Sequence, residues 1–295
     1  MKLKITSLLV LMIVFTVSAQ EEQPEEKSNI ITYTPSKLLI KGQWDIKWFN
    51  NLYTQTKDSE KPEKQPRETY FTSTIDIFTG ISKTNNLNVG LLFEIRSNAV
   101  NGLDASEVFK FKNNPFKSTR TGLTSFAPAV KFNPFKRLSN LTVQSAFHIP
   151  LVKNESVKNE FGKGVYLDQK GYIFQNRLLY DYTFSGDEFQ LFAELNTELN
   201  FGDNEDSFAN DSLVLAPSVF LSYFPSQKFT VLVLAQHAQR IDLGNDFAQD
   251  YSVLGAGAKY QLSKVVNIEA LYTNFVRGSN TGLGQTFNIG LRTLF

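Results

Sequence analysis

The sequence predicts an all-β protein, a transmembrane antiparallel up-and-down β-barrel of about twelve strands. Three features of the 295-residue chain support this fold: an export signal, about twelve segments of alternating apolar and polar residues, and connections that are alternately short and long. The alternation is clearest at the end of the chain, residues 285–295, where Phe287 and Ile289 alternate with polar residues such as Asn288. A half-buried strand of a soluble sandwich alternates in the same way, so the signal and the connections decide between the two folds.

Residues 1–19 have the composition of a secretory signal peptide. Two lysines precede an apolar run over residues 8–17, and the small-residue sequence V-S-A precedes Gln20. This run is too short for a membrane helix, and we expect cleavage before Gln20. The sequence contains no cysteine, which excludes disulfides, thiolate chemistry and lipid attachment at a cysteine.

The composition favours a membrane protein built from strands. The chain has 26 Phe and 11 Tyr, yet its mean hydropathy is −0.21. After the signal, no apolar run approaches the roughly 18 residues of a membrane helix, whereas the strands of a barrel are apolar on one side only. The formal net charge of +1 provides no broad basic field, so we expect no binding of nucleic acid.

The chain divides into the signal peptide of residues 1–19, a lead-in of residues 20–40 and a barrel of residues 41–295. The lead-in is acidic and then polar to mildly apolar, and we expect a periplasmic segment with little fixed structure. The predicted strands are about 11–15 residues long, which suits tilted strands that extend beyond the bilayer. They cover residues 42–54, 68–82, 87–97, 122–132, 140–152, 171–184, 188–200, 213–224, 228–240, 250–262, 265–277 and 284–295.

The connections between these strands alternate in length. Those after the even-numbered strands are brief and rich in turn-forming residues, although residues 133–139 form a longer one. Those after the odd-numbered strands are generally longer and polar, and the longest covers residues 98–121. A barrel with tight periplasmic turns and extended outer loops has this pattern, and an even number of strands leaves both termini in the periplasm. A soluble sandwich with Greek-key crossings is not expected to have connections that alternate in length.

The last strand, together with the export signal, resembles that of Gram-negative (Bacteroidota-like) outer-membrane β-barrel proteins. In these proteins the final strand commonly ends in phenylalanine, as this chain ends in Phe295, and the barrel assembly machinery reads it. The resemblance covers residues 41–295 as a pattern and is porin-like. It implies an outer-membrane location, contact with outer-membrane lipids and recognition by the assembly machinery through the strand that ends at Phe295.

If the apolar side of each strand faces lipid, the other side faces the lumen. The charged and titratable residues on that side are nearly balanced in sign: Asp45, Lys47, Asp76, Glu94, Arg96, Lys131, His148, Arg177, Asp181, Glu194, Glu198, Arg240, Lys259, Glu269 and Arg292. Strand pairing predicts three groups of neighbours: Arg177 with Asn196, Glu194 and Glu198, Lys259 with Glu269, and Arg292 with Asp45. Such pairs suit a narrow lumen filled with ion pairs or charged ladders along a water-filled pore.

Seven aromatic residues fall near predicted strand ends, where the aromatic girdles of membrane barrels lie. They are Trp44, Trp48, Tyr182, Phe184, Tyr223, Tyr260 and Phe295. We therefore expect them to face the lipid near the membrane interfaces.

Two histidines, His148 and His237, limit any histidine-dependent chemistry. The size and strand number resemble those of the outer-membrane phospholipase family, which places a nucleophilic serine two residues after its histidine. Here Pro150 and Gln239 occupy those positions, so the motif is absent and we expect no enzyme activity. We interpret His148 as a polar lumen residue, and the alternative is a lipid-modifying enzyme with an unfamiliar site around His148.

Two outer loops carry clustered carboxylates that would suit a hard cation such as Ca²⁺. The candidate ligands are Asp203, Glu205, Asp206, Asp211 and Asp246. No EF-hand spacing is present, so a solvated acidic loop is the preferred interpretation and we expect no cofactor.

The longest loop, residues 98–121, leans basic and contains an Asn-Pro-Phe turn. Such turns are commonly structural. The functional interpretation is a loop that folds into or over the mouth of the barrel and gates it.

The sequence thus predicts an outer-membrane pore or transporter through which small polar solutes diffuse. The alternative is a structural or surface-interaction barrel with a sealed lumen, whose outer loops bind a partner. The balanced lumen charge predicts weak ion selectivity and leaves the solute open.

Overall fold

The computed structural model describes residues 34–114, 118–152, 158–159, 162–163, 167, 171–202 and 207–295. Twelve of the strands in these ranges form a closed antiparallel barrel, which confirms the predicted fold class. They are β1 (Trp44–Gln55), β2 (Glu68–Gly80), β3 (Leu87–Ala99), β4 (Thr119–Phe132), β5 (Leu141–Pro150), β8 (Tyr172–Thr183), β9 (Phe189–Phe201), β10 (Ser212–Tyr223), β11 (Phe229–Asp242), β12 (Gln249–Gln261), β13 (Val266–Ser279) and β14 (Gln285–Leu294). Between β5 and β8, β6 (Lys158–Asn159) and β7 (Gly162–Lys163) pair as a separate small hairpin.

Each barrel strand pairs with the barrel strands before and after it in the chain, and β1 pairs with β14 to close the sheet. At the closure, Trp44 N donates to Phe295 O at 2.7 Å and Phe295 N donates to Trp44 O at 3.0 Å. We name this end of the barrel, where the first and last strands begin and end, the terminal end. The opposite end carries the longest connections and is named the long-loop end.

The outer face of the barrel is apolar, as the strand alternation predicts. In β14, Phe287 and Ile289 are 46% and 59% exposed, whereas Asn288 between them is buried on the inner face. The seven aromatic residues of the predicted girdle are all exposed, by 41–59%. A soluble monomer does not expose apolar side chains around its whole circumference, so this face fits contact with lipid chains.

The connection between β3 and β4 packs against the outside of the barrel. Its centre is a 3₁₀ helix, Ala105–Lys110, capped by Asp104, whose carboxylate accepts from Ser106 N at 2.8 Å. The hydrogen bonds from Ser106 lower the pKa of Asp104, which lies in the exposed loop. Among the described residues, no helix has the length and apolar character needed to cross a membrane.

Contacts of this helix fix its position on β2 and β3. Val108 is 1% exposed and packs with Phe71 and Ala99, while Ser97 Oγ donates to Val108 O at 2.7 Å. The Phe71 ring also lies edge-on to Phe109, with 5.3 Å between ring centroids. These strand residues belong to the outward face, so the described part of the loop does not enter the lumen. We expected residues 98–121 to fold into or over the mouth of the barrel and gate it. The described part of this loop instead packs on the outer face of the wall.

Val108→Asp should release this helix from the wall, because a carboxylate has no partner between Phe71 and Ala99. We expect trypsin to cleave after Lys110 about tenfold faster in the folded barrel, since cleavage follows the population of the open loop. Ser106→Asp is the matched control, because it adds the same charge at an exposed position of the same helix. Equal cleavage of the two variants would contradict the packing.

Candidate functional site

The predicted inward charges form ion pairs along the lumen wall. Arg177 Nε and Nη2 donate to Glu194 Oε1 and Oε2 at 2.6 and 3.0 Å, and Arg177 lies opposite Asn196 in the strand register. Glu198, which was also expected beside Arg177, accepts instead from Gln175 Nε2 at 3.1 Å and Asn196 Nδ2 at 2.9 Å. Paired residues of neighbouring strands share a face, so this whole group points inward.

Two further predicted pairs are present. Lys259 Nζ lies 2.6 Å from Glu269 Oε2, between β12 and β13. Across the closure, Arg292 Nε and Nη2 donate to Asp45 Oδ1 and Oδ2 at 2.7 and 2.8 Å. The bidentate geometry is the strong form of a charge-assisted hydrogen bond, and it lies at the seam where the sheet closes.

Buried side chains fill the lumen at the terminal end. Every barrel strand contributes one inward residue within three positions of its end there, and each is at most 8% exposed. The twelve residues are Asp45, Phe78, Asn88, Lys131, Thr142, Asp181, Gln190, Ser222, Thr230, Gln261, Asn267 and Leu294. We name this set the terminal ring. The terminal ring is therefore buried all the way round the barrel.

Residues 34–40 lie inside the terminal ring. Ser36 Oγ donates to the Asp181 carboxylate, Thr142 Oγ1 donates to Ser36 O, and Leu39 N donates to Asn88 Oδ1 at 3.2 Å. Ser36 is only 1% exposed. This differs from the expected lead-in of residues 20–40 with little fixed structure, because residues 34–40 contact three separate strands.

Apolar packing and a glycine also hold this segment. Leu39 packs with Phe78 and Leu294 in the terminal ring. The backbone then passes over Gly80, where an added Cβ would lie 2.6 Å from Leu39 O and closer still to Ile40 O. The rest of the predicted lead-in and the signal peptide of residues 1–19 lie outside the described residues.

An aromatic wall lines the lumen toward the long-loop end. Tyr53 stacks on Tyr70 with 6.0 Å between ring centroids and contacts Phe275 at 4.9 Å, and Tyr251 contacts Phe275 at 4.9 Å. Below them Leu232, Leu234 and Val253 form a buried cluster against Phe220 and Leu271. These residues lie on inward positions of β1, β2 and β10–β13, where they form an aromatic and apolar patch of the lumen wall.

The opposite side of the lumen is charged. Its residues lie on β3, β5, β8 and β9 and include six of the fifteen predicted inward residues: Glu94, Arg96, His148, Arg177, Glu194 and Glu198. Arg96 Nε lies 2.8 Å from Glu94 Oε1. The lumen wall therefore has an apolar patch opposite these charged residues, in addition to the inward charges that the sequence predicted. The apolar wall escaped prediction because only charged inward positions were considered, although Leu271 and Phe275 share the parity of Glu269.

Solved structures share this architecture. An outer membrane channel from Pseudomonas putida F1 superposes with a TM-score of 0.66 at 9% sequence identity, over 93% of this chain and 100% of that chain. The fold is that of an outer-membrane β-barrel. The β domain of the Bordetella autotransporter BrkA gives a TM-score of 0.55 at 13% identity, over 85% of this chain and 99% of that chain. No protein-family model matches the sequence, and no curated protein matches it.

The two histidines of this outer-membrane barrel fold lie on different faces. His148 points inward and lies opposite Ile173 in the strand register. His237 points outward, and its Nδ1 lies 3.0 Å from Ser252 Oγ on the neighbouring strand. A base that activates a serine needs a group to orient its ring, and in the described chain His237 forms no other hydrogen bond. The contact is therefore a cross-strand polar pair. The phospholipase motif concerns only the residue two positions after a histidine, so it could not identify this pair.

The predicted cation site is only partly described. Asp203, Glu205 and Asp206 lie outside the described residues, while Asp211 and Asp246 both adopt positive φ angles in their loops. Within the described ranges, no cluster of three or more His, Cys, Asp or Glu residues would hold a metal ion. Binding of Ca²⁺ by these loops thus stays a prediction.

Arg292→Met should destabilise the barrel, because it leaves Asp45 buried without its bidentate partner. The expected loss of unfolding free energy is about 3 kcal/mol, at the low end of the range for breaking a buried pair. Lys47 Nζ, 3.9 Å from Asp45 Oδ2, supplies weak residual compensation. Unfolding by urea in lipid vesicles, followed by tryptophan fluorescence, measures the change.

Lys259→Met provides the control for this variant. The Lys259 and Glu269 side chains are 30% and 18% exposed, against 12% and 3% for Arg292 and Asp45. Exposed pairs contribute about 1 kcal/mol or less, so the control should lose far less stability. Equal losses would show that burial at the seam does not set the strength of the Asp45–Arg292 pair.

Proposed function

We propose that this protein is an outer-membrane pore through which small polar solutes diffuse. The observation that carries the proposal is a lumen lined by charged side chains, including Arg177, Glu194 and Glu198, with a cavity of about 190 Å³ beside Glu198. A barrel that served only as a scaffold would gain by filling this space with apolar side chains, because buried ion pairs seldom stabilise more than hydrophobic packing does. The similar fold of the Pseudomonas putida F1 outer membrane channel supports the same function.

The orientation in the membrane follows from the connections. Barrels of bacterial outer membranes have short turns on the periplasmic side and longer loops outside. The terminal end would thus face the periplasm and the long-loop end the exterior. On this proposal the apolar outer face contacts outer-membrane lipids, and the assembly machinery reads the strand that ends in Phe295.

Passage would require residues 34–40 to move. This segment and the terminal ring close the periplasmic end, whereas the long-loop half retains a cavity of about 190 Å³. The segment lies between side chains and is not part of the sheet that forms the wall. Its displacement would therefore leave the hydrogen bonds between barrel strands intact. Residues 34–40 would act as a periplasmic gate.

Removal of residues 20–40 should open the pore. In planar bilayers we expect the chain from Gln20 to Phe295 to give rare, small conductance steps, and the shortened chain to give steps at least about twofold larger with longer open times. The physical reason is the loss of Ser36 and Leu39, which contact Asp181, Phe78 and Leu294 of the terminal ring. A folded but silent shortened barrel would contradict the pore function.

Gly80→Ala should have a similar, milder effect, because the new Cβ would collide with the backbone of Leu39 and Ile40. We expect the open probability of the full chain to rise, measured in the same bilayers. The same substitution in the chain that lacks residues 20–40 is the control and should change nothing, since the colliding segment is absent. An equal effect in both chains would show that Gly80 acts on the barrel itself.

A sealed barrel with partner-binding outer loops is the second candidate. The burial of the whole terminal ring favours it, since this closure is complete in the present conformation. The two functions differ in one measurement. A sealed barrel stays silent with and without residues 34–40, whereas a gated pore conducts once the segment is removed.

A further inference from the structure

The cavity in the long-loop half of the lumen has the features of a binding site. It has a volume of about 190 Å³ and lies among inward residues of β9, β10, β11 and β12. This volume equals that of about six water molecules at about 30 Å³ each. It is smaller than the sites that hold drug-sized ligands, so a small metabolite is the suitable occupant.

Two opposite charges flank the cavity. Glu198 on β9 and Arg240 on β11 both lie opposite Val214 on the strand between them. Neighbouring strands are about 4.8 Å apart, so the two backbone positions are separated by roughly 10 Å and their side chains approach the cavity from opposite sides.

Neither charge has a counter-ion within ion-pair distance among the described residues. Glu198 Oε1 accepts two amide donors, while Oε2 accepts no hydrogen bond from the described chain. Arg240 Nη1 donates to Ala209 O at 3.2 Å and to Ser212 Oγ at 2.5 Å, which holds the guanidinium in place. A half-buried carboxylate and a half-buried guanidinium that each lack a counter-ion within ion-pair distance favour a ligand that supplies both charges.

The remaining lining of the cavity is mixed: Asn196, Gln236 and Gln249 supply amide groups, and Val214, Ala216, Ala238 and Tyr251 form an apolar patch. Ala216 and Ala238 are small, buried residues in this lining, and Tyr251 lines the cavity with them. The Tyr251 ring contacts Phe275 and so continues the aromatic wall of the lumen into the cavity. The small alanine side chains leave room for an apolar group between the two charged residues.

We propose that this cavity binds a zwitterion of the α-amino-acid class that carries an apolar side chain. The ammonium group would meet Glu198, the carboxylate would meet Arg240, and the apolar side chain would lie against Ala216, Ala238 and Tyr251. This inference rests on the proposed function in one respect: in a pore, the cavity would select the solute that passes. A simple anion or a sugar leaves at least one of the two charges without a partner, and such a ligand is disfavoured.

The test is equilibrium dialysis of the folded chain, Gln20 to Phe295, in detergent micelles against radiolabelled leucine. Three analogues compete: 4-methylpentanoate lacks the ammonium group, 3-methylbutylamine lacks the carboxylate, and glycine lacks the apolar side chain. We expect each to bind at least about tenfold more weakly than leucine, since each removes one of the three contacts. Absence of leucine binding, or equal binding of leucine and any analogue, would overturn the proposal.

Variants assign the two charges. Glu198→Gln should abolish the preference for leucine over 4-methylpentanoate, and Arg240→Gln should abolish the preference for leucine over 3-methylbutylamine. Arg240→Lys should restore part of the latter preference, which separates loss of charge from loss of the loop contacts. Glu188→Gln, an exposed residue of a short turn, is the matched control and should bind as the unchanged chain does. Unchanged preferences in Glu198→Gln would overturn the assignment even if Arg240 variants fail to fold.

Binding in micelles does not require passage, so the two proposals fail separately. A barrel that conducts but does not bind leucine would support the pore function and contradict the amino-acid site. A barrel that binds leucine but stays silent without residues 20–40 would support the site and contradict the pore function.

Discussion

Closure of the sheet is the constraint on which the rest of the structure depends. In lipid a strand edge cannot satisfy its N–H and C=O groups with water, so the first and last strands must pair with each other. The β1–β14 ladder runs from Asp45 opposite Leu294 to Thr54 opposite Gln285. The buried Asp45–Arg292 pair lies within this ladder. It fixes the register where no covalent turn connects the strands, since a one-residue slip of either strand would turn the charge on that strand toward lipid.

Once the sheet is closed, alternation decides what each side of the wall contacts. The outward positions form the apolar belt, and the inward positions must fill or hydrate a narrow cylinder. The two ends solve this problem differently. At the terminal end, polar and apolar side chains pack around residues 34–40, and Ser36 and Leu39 complete their contacts. Toward the other end, the charged and aromatic walls remain separate and leave space between them.

The sequence was sufficient to predict features that depend on local alternation and nearest-strand pairing. The strands, the Arg177–Glu194 pair across a short turn and the exposed aromatic girdle all follow from a period of two and from the register of a hairpin. Features that depend on distant contacts were not predictable in this way. Residues 34–40 have no periodicity, and Ser36 and Asp181, which form a hydrogen bond, are 145 positions apart in the chain. The loop around Val108 likewise packs through an outward patch that alternation would assign to lipid.

If the barrel is a pore, as proposed, the division of the lumen has a consequence for its selectivity. A uniformly charged pore would discriminate by charge alone, and the nearly balanced charges here would discriminate little. An apolar wall opposite a charged wall orients a solute that has an apolar part and a charged part, because the apolar part favours the apolar wall and the charged part favours the charged wall. Tyr251 belongs to the aromatic wall, while Glu198 belongs to the charged one, and the cavity lies where the two meet. Selection would then occur before a solute reaches the terminal ring, and residues 34–40 would control the rate of passage rather than the choice of solute.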